Sequence, residues 1–251
     1  MYHYTTFCRI CKRKVVDNMK AVIYTGTRNL YEHMVTAMKS LLINSPVDKI
    51  YLMIEDDEFP LPVPDCVESI KIDPYTLFAP GGPNIKIQFT PFALMRAATA
   101  KLLPEDLDRV LQLDVDTIVE DSLDELWEMD LTGKYFAAVP EYLGKFKPYG
   151  PIYFNCGVMM LNLNEIRKTQ IEDDLIKFLN TEYVPYGDQD AWNKLGIDKA
   201  AIMPVRFNEA FCTGYTENPA IVHYAGRIDW ASNPSVYRAK YLQKYRGAGW
   251  P

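Results

Sequence analysis

The sequence predicts an α/β domain built on a mostly parallel central sheet, and two observations carry that expectation. Short apolar runs of strand length alternate with helix-like segments through the first half, the pattern of βαβ units. The chain has 251 residues, 48% of them hydrophobic and 24% charged, an ordinary globular composition with enough length for one sizeable core.

The elements follow in order. Residues 1–18, polar and basic, read as a loosely held extension ahead of a single domain over 19–251. No apolar stretch follows their charges, so a secretory signal is not expected and the cytoplasm is the expected compartment. A strand from Ala21 to Thr25 turns at Gly26 into a helix from about Asn29 to Ile43. The strand Ile50 to Ile54 leads through the acidic loop Glu55 to Asp65 into a third strand, Val67 to Ile72. Asp73 to Thr90, rich in Pro and Gly, is a long loop of the kind that tends to carry function. A helix over about Pro91 to Leu103 precedes the strand Arg109 to Leu113. The second half holds a Gly/Pro/Tyr-rich loop (Tyr142 to Pro151), a strand from Val158 to Leu163 and a helix from about Asn164 to Leu179. Two short helical stretches near 189–195 and 234–245 complete it.

Composition excludes several classes. A formal charge of −6 argues against general nucleic-acid affinity, which rests on cationic surface. No apolar run approaches the roughly 18–20 residues that span a bilayer. The five cysteines, Cys8, Cys11, Cys66, Cys156 and Cys212, are scattered and odd in number, unlike a disulfide framework. Cys8 and Cys11 have the spacing of half a zinc site, but nothing completes it, so they read as reduced, incidental thiols.

The chemistry concentrates in LQLDVDTIVEDSL. An apolar strand ends in Asp114-Val115-Asp116, followed by what reads as a helix cap and first turn at Asp121, Ser122 and Asp124. Ligands of open α/β sheets bind beyond the carboxyl ends of the strands. Two carboxylates there can hold a hard divalent cation whose remaining positions go to diphosphate oxygens. The Asp-x-Asp pattern occurs three times, at Asp106/Asp108, Asp114/Asp116 and Asp188/Asp190, and only the middle pair ends a buried-type strand. An acidic strand-to-helix turn is its plain alternative. Of the three histidines, His3, His33 and His223, only His223 follows an apolar strand, Ala220 to Val222. A lone histidine in that place is by itself more often structural than a ligand.

Four blocks in order resemble the retaining glycosyltransferases of family 8, which include glycogenin and bacterial lipopolysaccharide galactosyl- and glucosyltransferases. They are AVIYTGTRNLY, LQLDVDTIVEDSLDELWEMDL, YFNCGVMMLNL, and GDQDAWN followed by IVHYAG, together covering about residues 20–230. The resemblance implies a GT-A-like fold, with a donor half over about 19–130 and an acceptor half over about 131–230. It implies that Asp114 and Asp116, with Val115 between them, bind a metal and the donor diphosphate or ribose, and that His223 is the third metal ligand. Such an O,O,N set suits Mn²⁺ better than Mg²⁺, because imidazole favours the softer ion.

Other positions carry over in the same way. Thr25 and Thr27, flanking Gly26, lie where the nucleotide base is met. Tyr31 lies where an aromatic ring stacks on uracil, although against the bacterial galactosyltransferases that position is Leu30. The alternative for Tyr31 is a helix-surface tyrosine. Arg96 matches a basic position on donor phosphate and sugar, a role suited to its bidentate fork. Asn155 matches an asparagine near the transferred sugar, or is a turn residue before Gly157. Asp188 and Gln189 match the pair beside the anomeric carbon, and Asp188 is also placed to cap its helix. Gly226 and Arg227 stand where the family has Gly and then a diphosphate-binding Lys, with Arg227 as the substitute for it.

The resemblance thus implies a metal-dependent enzyme that moves glucose or galactose from a UDP-sugar to a hydroxyl of a glycan or glycolipid, with retention. A sugar-1-phosphate nucleotidyltransferase and a catalytically silent nucleotide-sugar binder are the rival readings. Tyr237, Tyr241 and Tyr245, interleaved with Arg238, Lys240, Lys244 and Arg246 over about 234–246, form one aromatic stripe on a basic helix. Packing against the domain is the first reading of that helix, and peripheral contact with a membrane surface is the second.

Overall fold

β1 (Ala21–Thr25) has no polar face. Ala21 and Ile23 enter one hydrophobic cluster while Val22 and Tyr24 enter another on the opposite side, as expected of a strand covered on both faces. The computed structural model describes residues 19–85, 90–142, 149–225 and 243–251. Among them, β2 (Lys49–Ile54), β3 (Val67–Lys71) and β4 (Arg109–Leu113) extend the parallel set around β1. β5 (Thr117–Val119) leaves this sheet, and β6 (Phe136–Pro140), β7 (Phe154–Asn162) and β8 (Ala200–Ile202) complete it. The order is β3-β2-β1-β4-β7-β6-β8, with β7 antiparallel to both neighbours. β9 (Ile221–His223) pairs with β5 in a separate two-stranded sheet. The architecture is the expected one, a mixed and mostly parallel sheet flanked by helices.

α1 (Tyr31–Asn44) covers one face through Met34, Met38 and Leu41. One of its polar residues and its C-terminal cap tie down the chain after the acidic pair. Ser40 Oγ accepts the Val119 N–H at 2.9 Å and Ser45 Oγ accepts the Leu123 N–H at 3.0 Å. The helix expected over Pro91 to Leu103 is three pieces: α2 (Pro91–Leu94), a 3-10 segment Met95–Ala98, and α3 (Thr99–Leu102). Ala98 departs from helical dihedrals, and the buried Glu172 carboxylate accepts the N–H groups of Ala100 and Lys101 instead. The helical turn expected at Asp121 is also corrected. β5 follows Asp116 directly, and α4 begins only at Asp124 (Asp124–Trp127).

The helix expected over Asn164 to Leu179 breaks at Gln170, which sits at φ 57°, into α5 (Leu163–Thr169) and α6 (Ile171–Thr181). α7 (Asp188–Leu195) places Trp192 in the core. β7 begins at Phe154, four residues before the strand expected from Val158, so the asparagine block is part of the sheet. The described end of the chain packs: Tyr245 is buried with Ile118, Val222 and Tyr224, and its hydroxyl accepts Asn44 Nδ2 at 2.6 Å. Tyr237 and Tyr241 lie outside the described residues, as do Cys8 and Cys11. No helix among the described residues is long and apolar enough to cross a membrane.

Candidate metal and donor site

The β5–β9 ladder explains how residues distant in sequence meet. Its register sets His223 opposite Thr117, one residue past Asp116, and the Tyr224 N–H donates to the Asp116 carbonyl at 2.9 Å. A slip of one residue would turn the imidazole to the other face. His223 Nε2 then lies 3.3 Å from Asp116 Oδ1 and 3.5 Å from Asp114 Oδ2. One ligand atom from each of Asp114, Asp116 and His223 falls within a group spanning 4.8 Å. Two carboxylate oxygens and one imidazole nitrogen converging at a strand end form a donor set fit for a divalent cation.

The local charges are arranged around this point. Burial lowers the His223 pKa, but the Asp116 and Asp114 carboxylates outweigh it and push it up to about 9. Burial would raise Asp114, yet Arg96 and then His223 hold it below the usual carboxylate value. Arg96 Nη1 donates to Asp114 Oδ1 and Nη2 to the Cys156 carbonyl. Its Nε is 3.3 Å from Asp188 Oδ2, an ion pair without hydrogen-bond alignment. Asp188 is pushed up to about 6, by burial first and against the pull of Arg96. Its expected cap role is corrected: Gly187, at φ 55°, holds the cap position of α7 and no side chain caps it. Asp188 is the first residue inside the helix, freeing its carboxylate for Arg96.

β7 supplies the backbone of the site. Its pairing with β6 jumps from Ala138 opposite Met159 to Val139 opposite Asn155, a bulge that leaves residues 156–158 out of that ladder. The N–H and carbonyl of Cys156 are the groups freed, while Gly157 stays paired on the β4 side. The Cys156 N–H donates to Gln189 Oε1 at 2.9 Å, and the Gly157 carbonyl accepts the Asp114 N–H at 2.8 Å. Gly157 is a close approach: a Cβ there would fall 2.1 Å from His223 Cε1 and 2.8 Å from Asp114 Oδ2.

A polar network continues away from the Asp114, Asp116 and His223 group. Asn155 Nδ2 donates to Glu141 Oε1 at 2.8 Å, and Gln189 Nε2 reaches the same oxygen at 3.3 Å and the Tyr153 hydroxyl at 3.2 Å. Tyr153 donates to Asp190 Oδ1 at 2.6 Å. Burial raises the Glu141 pKa, against its bonds from Asn155 and Gln189, and its Oε2 is buried without a hydrogen-bond partner. Asn155 is therefore a strand residue in a network and not a turn.

At the other end, Gly26 donates its N–H to the Met53 carbonyl at 3.1 Å, Thr25 Oγ1 is buried without a partner, and Thr27 bonds Asn29. Tyr31 is neither a surface tyrosine nor an open platform. It is 4% exposed, its ring lies 4.8 Å from that of Phe59, and its hydroxyl donates to Asp56 at 2.9 Å. Arg28, Tyr31, Asp56 and Leu61 line an open groove beside it. Gly226 and Arg227 lie outside the described residues.

The structure thus joins Arg96, Asp114, Asp116, Asp188 and His223 into one cluster, with Asn155 and Gln189 attached through β7. Sequence reasoning missed Glu141, the steric role of Gly157, and Asn208, whose Oδ1 lies 2.8 Å from His223 Nδ1. A glycine inside an apolar strand is a signal of close approach, whereas Glu141 and Asn208 carry no local signature.

The family described as glycosyl transferase family 8 matches residues 21–230. Lipopolysaccharide 1,2-glucosyltransferase of Escherichia coli is 27% identical over 162 residues, 52% of this chain and 48% of that protein. Glycosyltransferase GlyE of Streptococcus pneumoniae is 29% identical over 245 residues, 91% of this chain and 56% of that protein. The chain spans between 19% and 61% of the length of the curated relatives it matches. Among solved structures, galactosyltransferase LgtC in complex with donor and acceptor sugar analogues superposes with a TM-score of 0.72 at 20% identity. That match covers 90% of this chain and 95% of that one, and shows the fold to be that of GT-A glycosyltransferases.

Proposed function

Since the chain belongs to glycosyl transferase family 8, we propose that it transfers glucose or galactose from a UDP-sugar to a hydroxyl of a glycan or glycolipid, with retention and with Mn²⁺ at Asp114, Asp116 and His223. The observation that carries this reading is the convergence of those three side chains at the carboxyl edge of the sheet. A cation held there supplies charge neutralisation for a leaving diphosphate.

The chain's own residues do the rest. Arg96 fixes the Asp114 carboxylate and adds a permanent positive charge beside the departing phosphates. Asp188, Gln189 and Asn155 would orient the transferred sugar, and Glu141, tied to the last two, extends that polar wall toward the acceptor. Thr25, Gly26 and Thr27 would meet the base, and Val115 the ribose. Tyr31 would contribute as a base contact only after its ring parts from Phe59. Arg227 would take the place of the family's diphosphate-binding Lys. The cytoplasm and a membrane surface reached through the C-terminal helix remain the proposed settings.

UDP affinity measured with Mn²⁺ and with chelator, for wild type and Asp116→Asn, tests the reading. Chelator should abolish tight UDP binding in wild type, and Asp116→Asn should behave as chelated wild type while staying folded. Transfer indifferent to chelator would overturn the metal role. Release of pyrophosphate from a nucleoside triphosphate and a sugar phosphate would favour a nucleotidyltransferase. Donor binding with neither transfer nor hydrolysis would favour a silent binder.

A further inference from the structure

Asn208 lies in none of the motifs, yet it is fully buried at the back of the imidazole. Its side-chain Oδ1 is 2.8 Å from His223 Nδ1, and its Nδ2 donates to Asn155 Oδ1 at 2.8 Å. The amide orientations in this chain are not free choices. The Gly157 N–H can only donate, and it does so to Asn155 Oδ1 at 3.0 Å. Asn155 Oδ1 is therefore an acceptor, and the opposite end of the same amide agrees, since its Nδ2 faces the Glu141 carboxylate. The Asn208 atom that meets Asn155 Oδ1 must then be the NH₂. Its carbonyl oxygen is left facing the imidazole, and the nitrogen it faces must carry a proton.

The backbone holds Asn208 where this works. Its N–H donates to the Val205 carbonyl at 3.0 Å and its carbonyl accepts the Thr213 hydroxyl. The next residue, Glu209, is bonded to β9 on both sides, through Ile221 and His223.

We infer that Asn208 is the positioning residue of His223. Directed by the Gly157 N–H through Asn155, it keeps the proton on Nδ1 and turns Nε2 toward Asp114 and Asp116. A ligating histidine generally needs such a partner on its other nitrogen to fix tautomer and ring orientation. This rests on the proposed cation site, but the Nδ1 proton held by Asn208 Oδ1 is present whether or not a cation binds.

The test uses the full chain labelled with ¹⁵N-histidine, with His223→Ala to assign the His223 signals among three histidines. Two readouts are taken: the protonation pattern and proton exchange of the His223 ring, metal-free and with Mg²⁺ plus UDP, and the Mn²⁺ affinity in the presence of UDP. Wild type should show a slowly exchanging Nδ1–H in both states. Asn208→Ala should lose that protection and weaken Mn²⁺ roughly 10–100-fold with the fold intact. Asn208→Asp keeps an acceptor for Nδ1 but loses the donor to Asn155 Oδ1, so it should regain the protected proton and only part of the affinity. If Asn208→Ala does not fold, Asn208→Ser carries the same expectation. A wild-type ring protonated only on Nε2, or an Asn208→Ala variant with unchanged Nδ1–H exchange or Mn²⁺ affinity, overturns the inference. A protected Nδ1–H in wild type that binds no Mn²⁺ would uphold it and sink the cation reading alone.

Discussion

Gly157→Ala is the smallest change that should disable the site, adding one methyl group. The backbone at 157 is not in the left-handed region, so alanine brings no conformational strain and the effect comes from the Cβ alone. That Cβ would lie 2.1 Å from His223 Cε1, where carbon atoms rest at about 3.5 Å or more. The ring must therefore retreat by more than about 1 Å. Metal donor distances hold to within about 0.2 Å, so a shift of that size takes Nε2 out of the ligand set. Asp114 Oδ2, 2.8 Å from the same Cβ, is displaced with it. Overpacking of this kind destabilises by about 1–3 kcal/mol. For a chain of this size that lowers Tm by about 2–12 °C. Mn²⁺-dependent UDP affinity should fall tenfold or more, read by calorimetry, while metal-free UDP binding changes little. Because the clash is with the ring, the stability loss should shrink in a His223→Ala background, a coupling that independent sites do not show. Full additivity of the two substitutions, or a Gly157→Ala variant with wild-type Tm and Mn²⁺ response, would refute the reasoning.

Two further outcomes follow from other parts of the chain. Tyr31→Ala should destabilise by about 3–5 kcal/mol, since it empties a packed aromatic site; a melt within a degree of wild type would show that the ring does not pack against Phe59. Burial pushes the Glu172 carboxyl up to about 7, from an ordinary value of 4.5 and against the N–H groups of Ala100 and Lys101. The folded chain thus holds that proton where the unfolded chain has lost it, so this contribution is complete below pH 4.5 and disappears as pH rises through about 7. It amounts to something on the order of 3 kcal/mol, and denaturant melts across that window should lose this slope in Glu172→Gln; an unchanged slope would assign it elsewhere.

What the sequence made legible follows from burial. β1 and β2 are short, mainly apolar runs because both faces are covered, and such runs can be read directly; β4 is interrupted only by Gln112, which is buried and bonded to Thr99. β9 is legible as the apolar run Ala220 to Val222, whereas β5 and β8 have three residues each, too few for any periodicity. The break in the α5–α6 segment had no glycine or proline to mark it, because Gln170 takes the left-handed conformation. At the site, Asp114 and Asp116 were legible from strand and motif together. His223 became a candidate ligand only through the family resemblance, since its meeting with them depends on the pairing of β5 and β9. The Arg96–Asp188 pair and Glu141 depend on tertiary packing alone, which no local pattern encodes.

The direction of β7 explains why two consecutive residues, Cys156 and Gly157, serve both sides of the site. β4 carries Asp114 at its carboxyl end, and β7 runs antiparallel to it with Val158 opposite Leu113. The residues just before Val158 therefore lie beside Asp114, at the edge where ligands of such sheets bind. Had β7 been parallel, its carboxyl end would have reached this edge and the bulge would have faced the opposite rim. Within the bulge, Gly157 accepts from Asp114 and makes room for His223, while Cys156 bonds Gln189 on one side and Arg96 on the other. Cation donors and the residues proposed to hold the sugar thus share one stretch of backbone. A shift of that stretch moves both sets together, so substitutions there should alter metal response and donor use jointly, whereas changes in the groove beside Tyr31 should leave the metal response unchanged.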